Sequence, residues 1–110
     1  MKPARFHPKA RLVLKGFPED VRRELGKAIF DLQKGQKISM PLSRPMPAVA
    51  KGVEELRLKD PKGAYRVFYL ANFADAVVIF YAFTKKTQRT PLRDIALARK
   101  RLKEMLYEES

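Results

Sequence analysis

The chain has 110 residues, 45% of them hydrophobic, with 24 Lys+Arg against 12 Asp+Glu, one His and no Cys. That length and apolar content suit a single domain, 1–110, with a real core, and argue against global disorder. The net charge of +12 points to a polyanionic partner, nucleic acid or an acidic protein segment ahead of an anionic membrane, and the lack of cysteine excludes disulfides and thiolate metal sites.

The N-terminus, MKPARFHPKARLVLKGF, carries cations but no apolar h-region, so no signal peptide is expected. No apolar run approaches the ~20 residues of a membrane helix. A cytoplasmic protein with no membrane partner is the expectation. Residues 1–7 predict a short edge strand ending at Phe6, because Pro3 bars a central position. His7, the only histidine, reads as a surface residue. Residues 8–15 predict a short helix with Pro8 in its first turn and Gly16 at its end.

A longer helix follows, with Pro18 as its first residue and Glu19 and Asp20 complementing the positive end of its dipole. Val21, Leu25, Ala28, Ile29 and Leu32 recur at helical spacing and make one apolar stripe, which ends before Gly35. Gly26 within it weakens the helix or marks close packing. Residues 36–52 contain Pro41, Pro45 and Pro47, a density that predicts a loop without regular structure.

Three apolar, β-rich runs then predict an antiparallel meander over 53–59, 64–71 and 76–84. Asp60-Pro61-Lys62-Gly63 supplies the first turn, with Gly63 accepting positive φ. Asn72-Phe73-Ala74-Asp75 supplies the second. Pairing Lys59 with Ala64 sets Arg57 opposite Arg66. Like charges directly opposed destabilise a sheet, so the pair suggests a missing anion. The alternative is that both are solvated sheet residues with carboxylates such as Glu55 nearby. Pairing Ala71 with Ala76 brings Tyr81 beside Arg66, with Phe83 and Lys85 on the same face. Leu56, Leu58, Val67, Val78, Phe80 and Ala82 fall on the other face as core. After the meander, Thr90 and Pro91 predict the N-cap and first residue of a closing helix, whose stripe is Leu92, Ile95, Ala98, Leu102, Met105 and Leu106.

One His, no Cys and no spaced carboxylate cluster leave no support for a metal site, and the five scattered glycines make no phosphate loop. No cofactor is expected. What remains is Arg57, Arg66, Lys85 and Lys86, with Thr87 and Gln88. This set suits a phosphodiester. Guanidinium forks fit phosphate oxygens and stabilise a pentacoordinate transition state. A lysine crowded by cations has a depressed pKa and can exchange a proton near neutral pH. In RNA the 2′-OH can attack the adjacent phosphorus without a metal, and Tyr81 or Phe83 could stack an unpaired base.

The block V-x-E-L-R…G-x-YRVFY…A-F-x-KKTQ-x-TP, followed by a basic helix, resembles the HigB-like, phage-derived branch of the RelE superfamily of toxins. The likeness spans nearly the whole chain, including FPEDVRRELGKAIFDLQKGQ and the loop ending in KGVEELR. It implies an α+β fold: a small antiparallel sheet, meander plus N-terminal edge strand, with helices packed on one face. It implies a type II toxin, an mRNA interferase that cleaves messages in the ribosomal A site, and a cognate antitoxin, usually a helix-turn-helix protein. Carried over residue by residue, the second-strand arginine is Arg66, the preceding-strand cations are Arg57 and Lys59, and the strand-end cations are Lys85 and Lys86. Arg57, Arg66, Lys85 and Lys86 are then the catalytic set, and Lys59, Tyr81, Phe83, Thr87, Gln88 and Arg89 contact RNA. The chain departs from relatives that use a C-terminal tyrosine or a histidine with a carboxylate: the matching region near Leu92 has no tyrosine, Tyr107 lies too far along, and no histidine stands there. Lys85, Lys86, Glu54, Glu55 or a ribosomal group would have to move the proton. The competing reading is a non-catalytic basic module that binds RNA or an acidic partner by charge alone.

Overall fold

The computed structural model describes residues 1–107. The elements in chain order are β1 (Ala4–Phe6), α1 (Pro8–Lys15), α2 (Glu19–Gln33), β2 (Ser43–Pro45), β3 (Val53–Asp60), β4 (Gly63–Phe73), β5 (Ala76–Lys85) and α3 (Leu92–Tyr107). They build one mixed five-stranded sheet of order β1-β5-β4-β3-β2. The fold is α+β, as the sequence implies, with three corrections to the expected architecture.

First, β1 pairs parallel to β5, so the sheet is not purely antiparallel. Second, the proline-rich segment contains a strand: β2 pairs antiparallel with β3 through Ser43, Arg44 and Pro45. Pro45 is tolerated because it closes a three-residue edge strand, where a missing donor costs no ladder bond. Third, helices cover both faces. The α2 stripe of Val21, Leu25, Ala28, Ile29 and Leu32 is buried, together with α1 residue Leu14, against Leu56, Leu58, Val67, Tyr69, Val77, Ile79 and Ala82. Helix α3 buries Ala98, Leu102 and Met105 on the opposite face, against Val53, Phe68, Val78 and Phe80. The expected core list was therefore one layer too few, and Val78 and Phe80 belong to the α3 side. Leu92, expected in the α3 stripe, is exposed. Nothing lies within 4 Å of a Cβ placed on Gly26, so that glycine marks no close packing.

The turns decide the register. In the first, Asp60 Oδ1 accepts from the backbone N–H groups of Lys62 and Gly63, both at 2.9 Å, and from the Tyr65 hydroxyl at 3.2 Å. Gly63 does not adopt the expected positive φ; the aspartate side chain organises the turn instead. The second turn is shorter than expected. Phe73 pairs with Ala76, and Ala74 and Asp75 both have positive φ (51° and 61°), the signature of a two-residue hairpin. This shortening slides β5 by two residues past its expected place on β4. Two register shifts farther along, between Leu70 and Phe73 and between Phe68 and Tyr69, offset each other.

His7 is buried, contrary to the surface reading. It caps α1: Nδ1 accepts from the Lys9 backbone N–H at 3.1 Å, while Nε2 donates to Glu104 of α3 at 2.7 Å. Both ring nitrogens are satisfied in the neutral tautomer. The same contact holds the Glu104 carboxyl below the usual glutamate range. His7→Ala removes a cap and the α1–α3 link together. It should cost about 2 kcal/mol, read as a lowered midpoint of thermal unfolding.

Candidate active site

The site grows from the β3–β4 hairpin. Lys59 pairs with Ala64, and Arg57 lies directly opposite Arg66, as the sequence predicts. Both arginines share the α3-side face, since Glu55, Arg57 and Val53 alternate with the oppositely buried Leu56 and Leu58. On β5, Phe83 and not Tyr81 pairs with Arg66, and Lys85 pairs with Ala64. The shortened second turn is the reason. Tyr81 instead lies opposite Phe68, its ring stacked 5.8 Å away, and its hydroxyl donates to buried Asp94 of α3 at 2.5 Å. Burial and that carboxylate push the Tyr81 phenol well above its ordinary range, so it stays protonated. Phe83 is half-buried, packed edge-on against Phe68 at 5.7 Å.

Arg66 is not a solvated sheet cation. Its side chain is 8% exposed, its Nη1 donates to the carbonyl oxygens of Tyr65 (3.1 Å) and Leu58 (3.5 Å), and its Nε is buried without a hydrogen-bond partner among the described residues. Glu55 lies near it, fully buried, with Oε1 4.0 Å from Arg66 Nε. That oxygen accepts a tighter bond, 2.8 Å, from Arg44 Nε of β2. The other Glu55 oxygen accepts from the Thr90 hydroxyl at 3.2 Å. Thr90 thus serves this cluster with the side chain expected to cap α3. Arg57 is half-buried and has no carboxylate partner among the described residues.

Electrostatics follow from this crowding. Desolvation lowers the Arg66 pKa, Glu55 opposes that, and Arg57 and Arg44 add to it. Lys85 is lowered first by desolvation and then by Arg66, Arg44 and Arg57, with Glu55 pulling the other way. A groove of about 470 Å³ opens along the β3 edge where β2 stops, lined by Arg57, Lys59, Arg66, Leu42, Leu58 and Ala64, with Glu24 of α2 on its wall. Lys86, Thr87, Gln88 and Arg89 are exposed past the end of β5, and the Thr87 hydroxyl donates to the Arg89 carbonyl. The arrangement can receive an anion against two guanidinium groups, with the ammonium of Lys85, its pKa lowered, beside them.

Against known proteins, the family profile described as "Phage derived protein Gp49-like (DUF891)" matches residues 13–103. The chain belongs to this Gp49-like, phage-derived family. The fold of the Gp49-like protein is similar to that in a crystal structure of the isolated E. coli RelE toxin, with a TM-score of 0.55, 18% identity, and coverage of 91% of this chain and 99% of that one. No curated protein matches it.

Of the residues expected at the site, the Gp49-like fold brings Arg57, Arg66, Lys59, Phe83 and Lys85 to one end of the sheet, with Lys86–Arg89 leading away from it. It commits Tyr81 to α3. It adds Arg44 and Thr90, which the sequence reading missed. Arg44 stands between Pro41 and Pro45 in a segment read as irregular, so no periodicity assigned it a face. Glu54, weighed as a proton-transfer group, lies on the other face, where it accepts from Ser43 at 3.3 Å. Among the described residues no helix is long and apolar enough to cross a membrane.

Proposed function

We propose that this Gp49-like protein is the toxin of a type II toxin–antitoxin system, a metal-independent and ribosome-dependent mRNA endoribonuclease. The observation that carries the reading is the cross-strand Arg57–Arg66 pair, sharing one face with Lys85 around a single buried carboxylate. Opposed guanidinium groups with one carboxylate between several cations leave positive charge for a phosphate to neutralise.

In the proposed reaction the 2′-OH of the message attacks the adjacent phosphorus and the 5′-oxygen leaves. The products are a cyclic phosphate, or the 3′-phosphate formed by its hydrolysis, and a free 5′-OH. Arg66 and Arg57 stabilise the extra charge on the pentacoordinate phosphorus. Lys85, its pKa lowered by desolvation and by Arg66, moves the proton, and Lys86 orients the strand. Lys59, Thr87, Gln88 and Arg89 grip the backbone, and the exposed edge of Phe83 offers a base a stacking surface. A cognate antitoxin, of helix-turn-helix type, neutralises the toxin in the cytoplasm.

The test is product chemistry on translating ribosomes. Message cut within the A-site codon, with a 5′-OH on the downstream fragment, is the expected result. Retardation of RNA that weakens with salt and yields no cut ends would overturn the proposal and favour a non-catalytic binding module. A second prediction concerns pH. If Lys85 protonates the leaving 5′-oxygen, single-turnover cleavage should fall as pH rises through its lowered pKa, earlier than for an ordinary lysine, and Lys85→Arg should flatten that limb. A limb unchanged in Lys85→Arg would remove Lys85 from the proton path.

A further inference from the structure

We infer that Glu55 is a positioning residue, which sets the Arg66 fork and the Lys86–Arg89 segment relative to one another without itself touching RNA; for catalysis the inference rests on the reading above. Glu55 is fully buried on β3, yet it reaches three other parts of the chain. It accepts from Arg44 of β2, faces Arg66 of β4, and accepts from Thr90 at the far end of the cationic segment that leads into α3. A carboxylate removed from water is costly unless its partners are well placed. Here those partners are the groups around the proposed phosphate position.

The geometry at Arg66 gives the inference its content. A direct hydrogen bond from Arg66 Nε to Glu55 would consume the donor. At 4.0 Å, Glu55 attracts the guanidinium by its field while Nε keeps its proton unengaged. A buried donor without a partner is uncommon and is stabilised when a ligand supplies the acceptor. Glu55 therefore holds the guanidinium in place by its field without tying up Nε in a direct bond. Its second oxygen, through Thr90, tethers the loop that carries Lys86 and Arg89, so the two cationic parts of the site share one anchor.

The test is Glu55→Gln, which keeps the shape and one acceptor oxygen for Arg44, turns an amide N–H₂ toward the Thr90 hydroxyl, and removes the charge. Two readouts separate this inference from the reading of function. The first needs no activity: the Arg66 Nε–H resonance in ¹⁵N-labelled protein, assigned by its loss in Arg66→Lys, should be dispersed and slow to exchange in the wild type. In Glu55→Gln it should move toward the solvent-averaged position and exchange faster. The second is single-turnover cleavage on programmed ribosomes, expected to fall on the order of 100-fold because a small displacement of the fork misplaces the phosphate. Its pH profile should also slide to lower pH, since Lys85, facing Arg66, Arg57 and Arg44, loses the carboxylate that holds its pKa up. An Arg66 resonance and a cleavage rate both unchanged in Glu55→Gln would overturn the inference. If wild-type protein cuts nothing while the Arg66 resonance still responds, the nuclease reading falls and the positioning role stands. Should Glu55→Gln not fold, Thr90→Val cuts the tether alone. Faster amide exchange across Lys86–Arg89 with reduced cleavage then supports the inference, and unchanged exchange overturns it.

Discussion

Arg66→Ala should reduce message cleavage by about 10²–10³-fold, the scale seen when one preorganised donor to a developing charge is removed. The substitution takes away the most buried cation of the site and leaves Glu55 its 2.8 Å partner Arg44, so the folded state should survive. On the proposed toxin reading the wild type should arrest growth on expression, and cells expressing the variant should escape that arrest. Arg66→Lys should not restore the rate. An ammonium is a point charge on a flexible stem and cannot present the planar fork that Nη1 bonds to Tyr65 and Leu58 hold in place. Single-turnover cleavage on programmed ribosomes, alongside binding of an uncleavable 2′-deoxy analogue, separates lost chemistry from lost affinity. If Arg66→Ala and Lys86→Ala both remain as toxic as the wild type, the site is elsewhere.

Phe68→Ala should have the largest effect on stability, a loss of about 3–5 kcal/mol. Phe68 is fully buried on β4, and its ring centroid lies 6.4 Å from that of Phe80, 5.8 Å from Tyr81 and 5.7 Å from Phe83. It is the hub of the α3-side core. Truncation leaves a cavity between a central strand and a helix that the β-ladder prevents from closing. Chemical denaturation should show a lower midpoint with an unchanged slope. A loss under about 1 kcal/mol would mean that α3 repacks onto the sheet freely. Because Phe68 also backs Phe83, the cross-strand neighbour of Arg66, activity should fall further than the unfolded fraction alone explains.

Legibility differed between neighbouring residues for physical reasons. The α2 stripe is readable because one helical face either meets the core or does not, and all five predicted residues are buried. The Arg57–Arg66 pairing is readable because a short turn leaves little freedom in register near it. The second hairpin is not, because Ala74 adopts a positive φ that alanine ordinarily avoids, and composition favours a longer turn. One misjudged turn moved Phe83 into the place assigned to Tyr81. His7 and Tyr81 were misread for a common reason. Each takes its role from a carboxylate distant in sequence, Glu104 or Asp94.

The order of residues alone determined the helix faces, the meander, the excess of positive charge and the opposed arginines, because each follows from local periodicity or from chain closure over a few residues. Tertiary structure alone decided that β1 runs parallel to β5, that α3 occupies the second face, and that Arg44, Glu55 and Thr90 meet beside Arg66. Those outcomes depend on which polar groups lose water together, and desolvation is a property of the packed whole rather than of any short stretch of chain.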